Sequence, residues 1–193
     1  MSLNLIGINK NKTELSLTFK YRYMNKNEDV SRGSFKTEKE IIYIDMDGVL
    51  CDYSSFIDKK VSEGMNKFQV YKIPGAFDNL QPINGAINAF NLLDKYFEVY
   101  ILSTPMWSNP DSWRGKRIWV EKHLGKIAKK KLILSHNKSL MKGKYLIDDR
   151  EANGVLDFEG EHIKFGENKF KEWSSVIEYL FKKENISLQN QMF

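Results

Sequence analysis

The stretch Ile41-Ile42-Tyr43-Ile44-Asp45-Met46-Asp47-Gly48-Val49-Leu50 constrains this chain more than any other. Its first four residues are apolar and mostly β-branched or aromatic, the pattern of a buried strand. The strand ends in two carboxylates one residue apart, followed at once by glycine. Unpaired charge at the end of a buried strand is costly. A metal ion or a phosphate reaction would account for two acids there, and Gly48 permits a sharp turn that lets both face one substrate.

Other strand-like runs follow at intervals: 97–102, 131–134, 145–147 and a short one at 162–165. Helical patterns separate some of them. Ala86, Ala89, Phe90 and Leu93 fall at i, i+3, i+4 and i+7, the stripe of an amphipathic helix. Pro110-Asp111-Ser112 opens a second helix that ends near Gly125, and a last one places Trp173, Val176, Ile177 and Leu180 on one face. Strands alternating with helices predict an α/β fold, a Rossmann-like three-layer parallel sheet. In such sheets the site lies beyond the C-terminal strand ends. Each polar cluster of the body follows a strand: Asp45 and Asp47, Ser103 and Thr104, Lys138, and Asp148 and Asp149. Taken singly, each has a bland reading as a turn, a helix cap, a surface lysine or a salt bridge. Their shared topological position favours a site.

The chemistry that needs these residue types is phosphoryl transfer. A phosphate monoester repels an anionic nucleophile, so a carboxylate attacks only when cations screen that repulsion. Asp45 is the candidate nucleophile. Asp47 would protonate the leaving alkoxide and then deprotonate water. Magnesium takes hard oxygen ligands, which Asp45, Asp149 and the Asp47 backbone carbonyl would supply. Lys138 would neutralise phosphate and nucleophile, and Ser103 or Thr104 would bind phosphoryl oxygens. His123, His136 and His162 lack metal-ligand spacing and read as structural or surface residues. Cys51 abuts the site without a role in this chemistry. Trp107 and Trp113 fall in a loop region nearby.

The chain has 193 residues, 41% of them hydrophobic and 28% charged, ordinary values for a soluble globular protein. No apolar run approaches a membrane span, and the N-terminus lacks a signal peptide's apolar core. A lone cysteine excludes an internal disulfide and fits a reducing, cytoplasmic setting. The net charge of +5 suits phosphate anions, and lysine clusters such as 129–131 and 182–183 read as solvated helix ends, so no nucleic acid polymer is expected. Residues 1–38 form a separate N-terminal extension, a β-hairpin plus linker. Leu15, Leu17, Phe19, Tyr21 and Tyr23 alternate with polar residues. An isolated hairpin is only marginally stable; it pairs with a sheet edge, packs on the body, or meets another chain, as in a homodimer. Residues 39–193 form the second domain, with a short insertion at about 52–82.

Asp45-Met46-Asp47-Gly48-Val49-Leu50, Ser103-Thr104-Pro105, Lys138 and Ile147-Asp148-Asp149-Arg150 together resemble the four motifs of the haloacid dehalogenase (HAD) superfamily. Trp119-Val120-Glu121-Lys122 and the 80–86 segment narrow the resemblance to its 5′(3′)-deoxyribonucleotidases. It covers about residues 40–180. The resemblance implies a Mg²⁺-dependent phosphomonoesterase with Asp45 as nucleophile, Asp47 as acid/base, and Asp148 supporting the metal ligands. It implies a nucleotide as the small-molecule substrate. Lys116 matches a family lysine near the phosphate. Tyr53 matches an aromatic near the nucleobase, with Phe77 joining it. Residues 52–82 would form a cap smaller than in characterised nucleotidases, which leaves room for other phosphomonoesters. A non-catalytic phospho-acceptor module is the alternative from another class; Asp47 argues against it.

Overall fold

The computed structural model describes residues 38–187. The N-terminal hairpin expected at 1–38 lies outside the described residues, apart from Glu38. Five strands, β1 (Ile41–Ile44), β2 (Glu98–Ser103), β3 (Leu132–Leu134), β4 (Tyr145–Asp148) and β5 (Glu161–Lys164), form one parallel sheet in the order β3-β2-β1-β4-β5. The first strand is therefore central. Ile42 pairs with Val99 on one side and Tyr145 on the other. A strand enclosed on all sides must be apolar throughout, which explains its unbroken hydrophobic run. The order also reverses at β1, because the next strand lies to one side and β4 to the other. That reversal leaves a crevice beyond the strand ends, where Asp45 and Asp47 stand.

Four helices accompany the sheet: α1 (Tyr53–Ser62), α3 (Ala86–Tyr96), α4 (Pro110–Leu124) and α5 (Trp173–Lys183), with a single turn α2 (Lys67–Val70). Local signals start them. The Asp52 side chain accepts from the Ser55 N–H, and Asn109 caps α4 ahead of Pro110, the standard N-terminal devices. Ile42, Ile44, Val99, Ile101 and Ile147 pack with the apolar faces of α3, α4 and α5 in the larger core. The opposite sheet face is thinner. Tyr43, Leu102 and Leu146 are covered there by Val155 and Phe158 from the loop after β4. Among the described residues no helix contributes to that cluster: the connection from β3 to β4 holds only a short 3₁₀ turn, and that from β4 to β5 is irregular.

The loop after β1 is tightly wound. Leu50 N–H and Cys51 N–H both donate to the Met46 carbonyl, and Gly48 N–H donates to the Cys51 carbonyl. Gly48 has φ +81°, and a Cβ there would meet Asp149 Oδ2 at 2.6 Å. From the far side, the buried Trp173 Nε1 donates to the Val49 carbonyl at 3.1 Å. Trp173→Phe keeps most of the packing but leaves that carbonyl unpaired. It should cost about 1–3 kcal/mol in urea denaturation with an unchanged m-value. A stability equal to wild type would show that the bond does not hold this loop.

Candidate active site

Asp45 follows the last residue of the central strand, and its N–H donates to the Ile147 carbonyl of β4 at 2.8 Å. Backbone pairing therefore fixes its carboxylate, which is 9% exposed. Lys138 Nζ donates to Asp45 Oδ1 at 2.7 Å and also to Asp148 Oδ2. The lysine opens a short 3₁₀ turn, Lys138–Leu140, and its own N–H is held by the Asn153 carbonyl. Burial works against its charge, but Asp45 and Asp148 together raise its pKa above the ordinary lysine value. Burial, with Asp45 beside it, raises the Asp148 pKa.

Carboxylate oxygens of Asp45, Asp148 and Asp149 all lie within 4.8 Å of one another. Burial and the neighbouring Asp45 push the Asp149 carboxyl up to about 6. Its Oδ1 is buried with no hydrogen-bond partner among the described residues. Arg150 reaches Oδ2 only at 3.8 Å and is largely exposed. An orphaned carboxylate oxygen beside two more acids suits a hard divalent cation. Asp148 is the member already engaged: Lys138 takes Oδ2, and the Arg150 N–H donates to Oδ1 at 2.9 Å. That leaves Asp45 and Asp149 with the free coordinating capacity.

Asp47 points to a second ammonium. Lys116 Nζ, on α4, donates to Asp47 Oδ1 at 2.7 Å and to Ser103 Oγ at 3.0 Å. It is fully buried and lies 4.5 Å from the centre of the Phe77 ring. A buried lysine is tolerable only with such partners. The two hydroxyls after β2 differ. Thr104 donates its proton to the Ser135 carbonyl at 2.9 Å. Ser103 accepts from Lys116, which leaves its own O–H free to donate. Cys51 Sγ is 3.6 Å from Asp47 Oδ1, and burial with Asp47 nearby raises its thiol pKa well above normal.

Asp45, Asp47, Asp148, Ser103 and Thr104 form the polar floor of a cavity of about 230 Å³, while Asp149 lines a neighbouring depression with Asp47 and Gly48. Tyr53, Tyr71 and Met106 form its apolar wall. The Tyr53 ring lies parallel to Phe77 at 5.3 Å and stacks on Tyr71 at 6.5 Å. Phe77, expected beside a base, is 1% exposed and does not line the cavity; it backs Tyr53 instead. Lys116 likewise stands behind the floor. Tyr71, Met106, Arg150 and Asn153 line the cavity and were not singled out from sequence. Arg150 belongs to a recognised motif and Met106 directly follows one, which is the signal that could have found them. Tyr71 lies in a stretch without periodicity. His136 Nε2 is 3.0 Å from the Pro105 carbonyl and His162 Nε2 is 3.1 Å from that of Asp148, while His123 packs on Trp119. None joins the acid cluster. Trp113 belongs to α4 rather than to a loop.

Residues 52–176 match the profile of a family described as 5′ nucleotidase, deoxy (pyrimidine), cytosolic type C protein. A Vibrio phage KVP40 protein provisionally named 5′(3′)-deoxyribonucleotidase is 52% identical over 147 residues, which cover 75% of this chain and 86% of that protein. The 5′(3′)-deoxyribonucleotidase of Bacillus subtilis is 30% identical over 159 residues, covering 68% and 91%. The human cytosolic-type enzyme is 34% identical over 85 residues, 43% of this chain and 42% of its own. Among solved structures, a Bacillus subtilis protein described as a HAD-hydrolase, YfnB, bound to magnesium, superposes with a TM-score of 0.50 at 11% identity, covering 74% of this chain and 99% of that one. At that identity the likeness speaks for the fold.

The raised Asp149 carboxyl has a consequence for stability. In metal-free protein the folded state binds more protons than the unfolded state between 3.8 and about 6. Stability therefore falls as pH rises through that window. In a chelator, Asp149→Asn should be more stable than wild type at about pH 7.5, by roughly 1–2 kcal/mol after discounting partial exposure. The gap should shrink as pH is lowered towards about 4. Denaturant titrations at several pH values measure it. A gap independent of pH would contradict a desolvated, uncompensated carboxylate.

Proposed function

Because the chain belongs to the 5′(3′)-deoxyribonucleotidase family of HAD phosphatases, we propose that this phosphoric monoester hydrolase releases phosphate from deoxynucleoside monophosphates through an aspartyl-phosphate on Asp45. The observation that carries the reading is the pairing of two buried carboxylate–ammonium contacts, Lys138 with Asp45 and Lys116 with Asp47, across a floor that faces an aromatic wall. The floor suits a phosphate dianion and the wall suits a nucleoside.

In the first step an Asp45 oxygen attacks phosphorus and the ester P–O bond breaks. The leaving alkoxide takes a proton from the Asp47 carboxyl. In the second step Asp47, now a carboxylate, takes a proton from water. That water attacks the acyl phosphate and releases inorganic phosphate, restoring Asp45. Lys116 occupies Asp47 Oδ1, so the proton travels on the other carboxyl oxygen. Lys138 offsets the charge of nucleophile and phosphate. Ser103, with its hydroxyl proton free, donates to a phosphoryl oxygen more readily than Thr104. A divalent cation, Mg²⁺ by its all-oxygen preference, would be held by Asp45, Asp149 and the Asp47 carbonyl with Asp148 in support, and would screen the phosphate charge.

Residues 52–82 are read as a small cap that supplies Tyr53 and Tyr71 to the substrate. No helix among the described residues is long and apolar enough to cross a membrane; the proposed location is the cytoplasm, the reducing setting that the lone Cys51 fits. A cavity of about 230 Å³ lies below the usual range for drug-sized ligands; this observation favours a second reading in which a smaller phosphomonoester is preferred. A panel of dUMP, dTMP, ribonucleotides and sugar phosphates separates the two. Deoxynucleotides should give the highest kcat/KM.

Two variants and one metal removal test the mechanism. Asp45→Asn should retain the fold by circular dichroism and lower kcat by roughly 10⁴ or more. Asp47→Asn should lower it by about 10²–10⁴. EDTA should abolish turnover and Mg²⁺ should restore it. Appreciable turnover by Asp45→Asn, or activity that survives thorough chelation, would contradict the scheme.

A further inference from the structure

Resting on the nucleotidase reading above, we propose that Asn109 is a positioning residue that sets the wall against which the leaving group binds. Asn109 is 6% exposed and takes no part in the phosphate chemistry. Its Oδ1 accepts from the Asp111 N–H, which caps α4. Serine or aspartate would do that equally well. Asparagine alone among these also has an N–H₂ group. Here Nδ2 donates to the Tyr71 carbonyl at 2.9 Å and approaches that of Ile73 at 3.4 Å. Tyr71 follows a helix of one turn, too short to hold itself. The amide therefore adds a long-range tie to main chain that is otherwise held by a capping box and short-range turn bonds.

The same residue grips the other side of the wall. Its N–H donates to the Met106 carbonyl at 3.1 Å, and its carbonyl accepts from Ser112 Oγ at 2.7 Å. Ser112 Oγ in turn accepts from the Met106 N–H at 3.0 Å. One buried knot thus ties Tyr71 and Met106, two cavity-lining residues that flank Tyr53. Tyr53 itself stacks on Tyr71, and its O–H reaches Met106 Sδ at 3.8 Å. The polar floor is held by other bonds, Lys138 to Asp45 and Lys116 to Ser103. Loss of the amide should loosen the wall and leave the floor intact.

The test compares a substrate with a wall-binding group to a ligand without one. Steady-state kinetics with dUMP would be measured alongside inhibition by inorganic phosphate, for wild type, Asn109→Asp and Asn109→Ser. Both variants keep a cap acceptor and lose the amide donor; the serine variant adds no charge, and thermal melts verify folding. KM for dUMP should rise about tenfold, the scale of a lost buried hydrogen bond, while kcat and the phosphate inhibition constant stay within about twofold. Tyr71→Ala should raise KM similarly, and Asn109→Ser added to it should raise KM little further, since both act on one element. An unchanged KM in both Asn109 variants overturns the inference. So does a phosphate constant that rises in step with KM, or full additivity with Tyr71→Ala. A wild-type KM for dUMP no lower than the phosphate inhibition constant would sink the nucleotidase reading as well, and that failure is visible before any variant is made.

Discussion

The arrangement of this protein depends on excess negative charge held at the end of a strand that must be apolar to be central. Asp45, Asp148 and Asp149 converge there, and the buried cation among them is Lys138, which contacts only the first two. Three desolvated carboxylates facing one ammonium are unfavourable without a further positive charge. The folded chain keeps them together by means that do not relax when the charge is uncompensated. Backbone bonds to Ile147 and Arg150 fix two of the acids. The left-handed turn at Gly48 closes the space beside Asp149 that any side chain would fill. The stability lost at this point would be the physical counterpart of the proposed affinity for a cation and a phosphate.

Helix α4 carries that arrangement outward. On one turn Lys116 reaches inward to Asp47 and Ser103 and sits against Phe77. The same helix pins the chain at 71–80. Trp119 Nε1 donates to the Leu80 carbonyl, Lys122 donates to that of Asp78, and Arg114 pairs with the Asp78 carboxylate. Gly115 allows the close approach, since a Cβ there would meet Phe77 Cβ at 2.9 Å. The helix that orients Asp47 is thus also the helix that orients the wall. Floor and wall are fixed relative to one another by a single rigid element, as selective binding of an ester with two unlike ends requires.

Much of this was legible in the sequence because the signals are local and the topology repeats them. The apolar run at 41–44 reads as a buried strand, and the sheet order makes it the central one. The polar clusters of the motifs are legible because parallel α/β sheets gather strand ends at one edge. What stayed hidden depends on packing between distant segments. Phe77 reads as an aromatic near a base, yet Gly115 draws it under Tyr53. Lys116 carries no local hint that its partners are Asp47 and Ser103, 69 and 13 residues away. Asn109 carries no signal in the sequence for its amide bonds, which run to residues more than 30 positions earlier. The loop-covered second face of the sheet was missed because a parallel sheet ordinarily has helices on both sides.

The proposed hydrolysis turns on covalent phosphorylation of Asp45. Rapid acid quench of the Mg²⁺-loaded enzyme with ³²P-labelled dUMP, followed by peptide mapping, tests it most directly. Transient label should appear on the peptide containing Asp45, accumulate further in Asp47→Asn and be absent in Asp45→Asn. Full turnover with no label on the protein at any quench time in either wild type or Asp47→Asn, or label mapped to another residue, would contradict it.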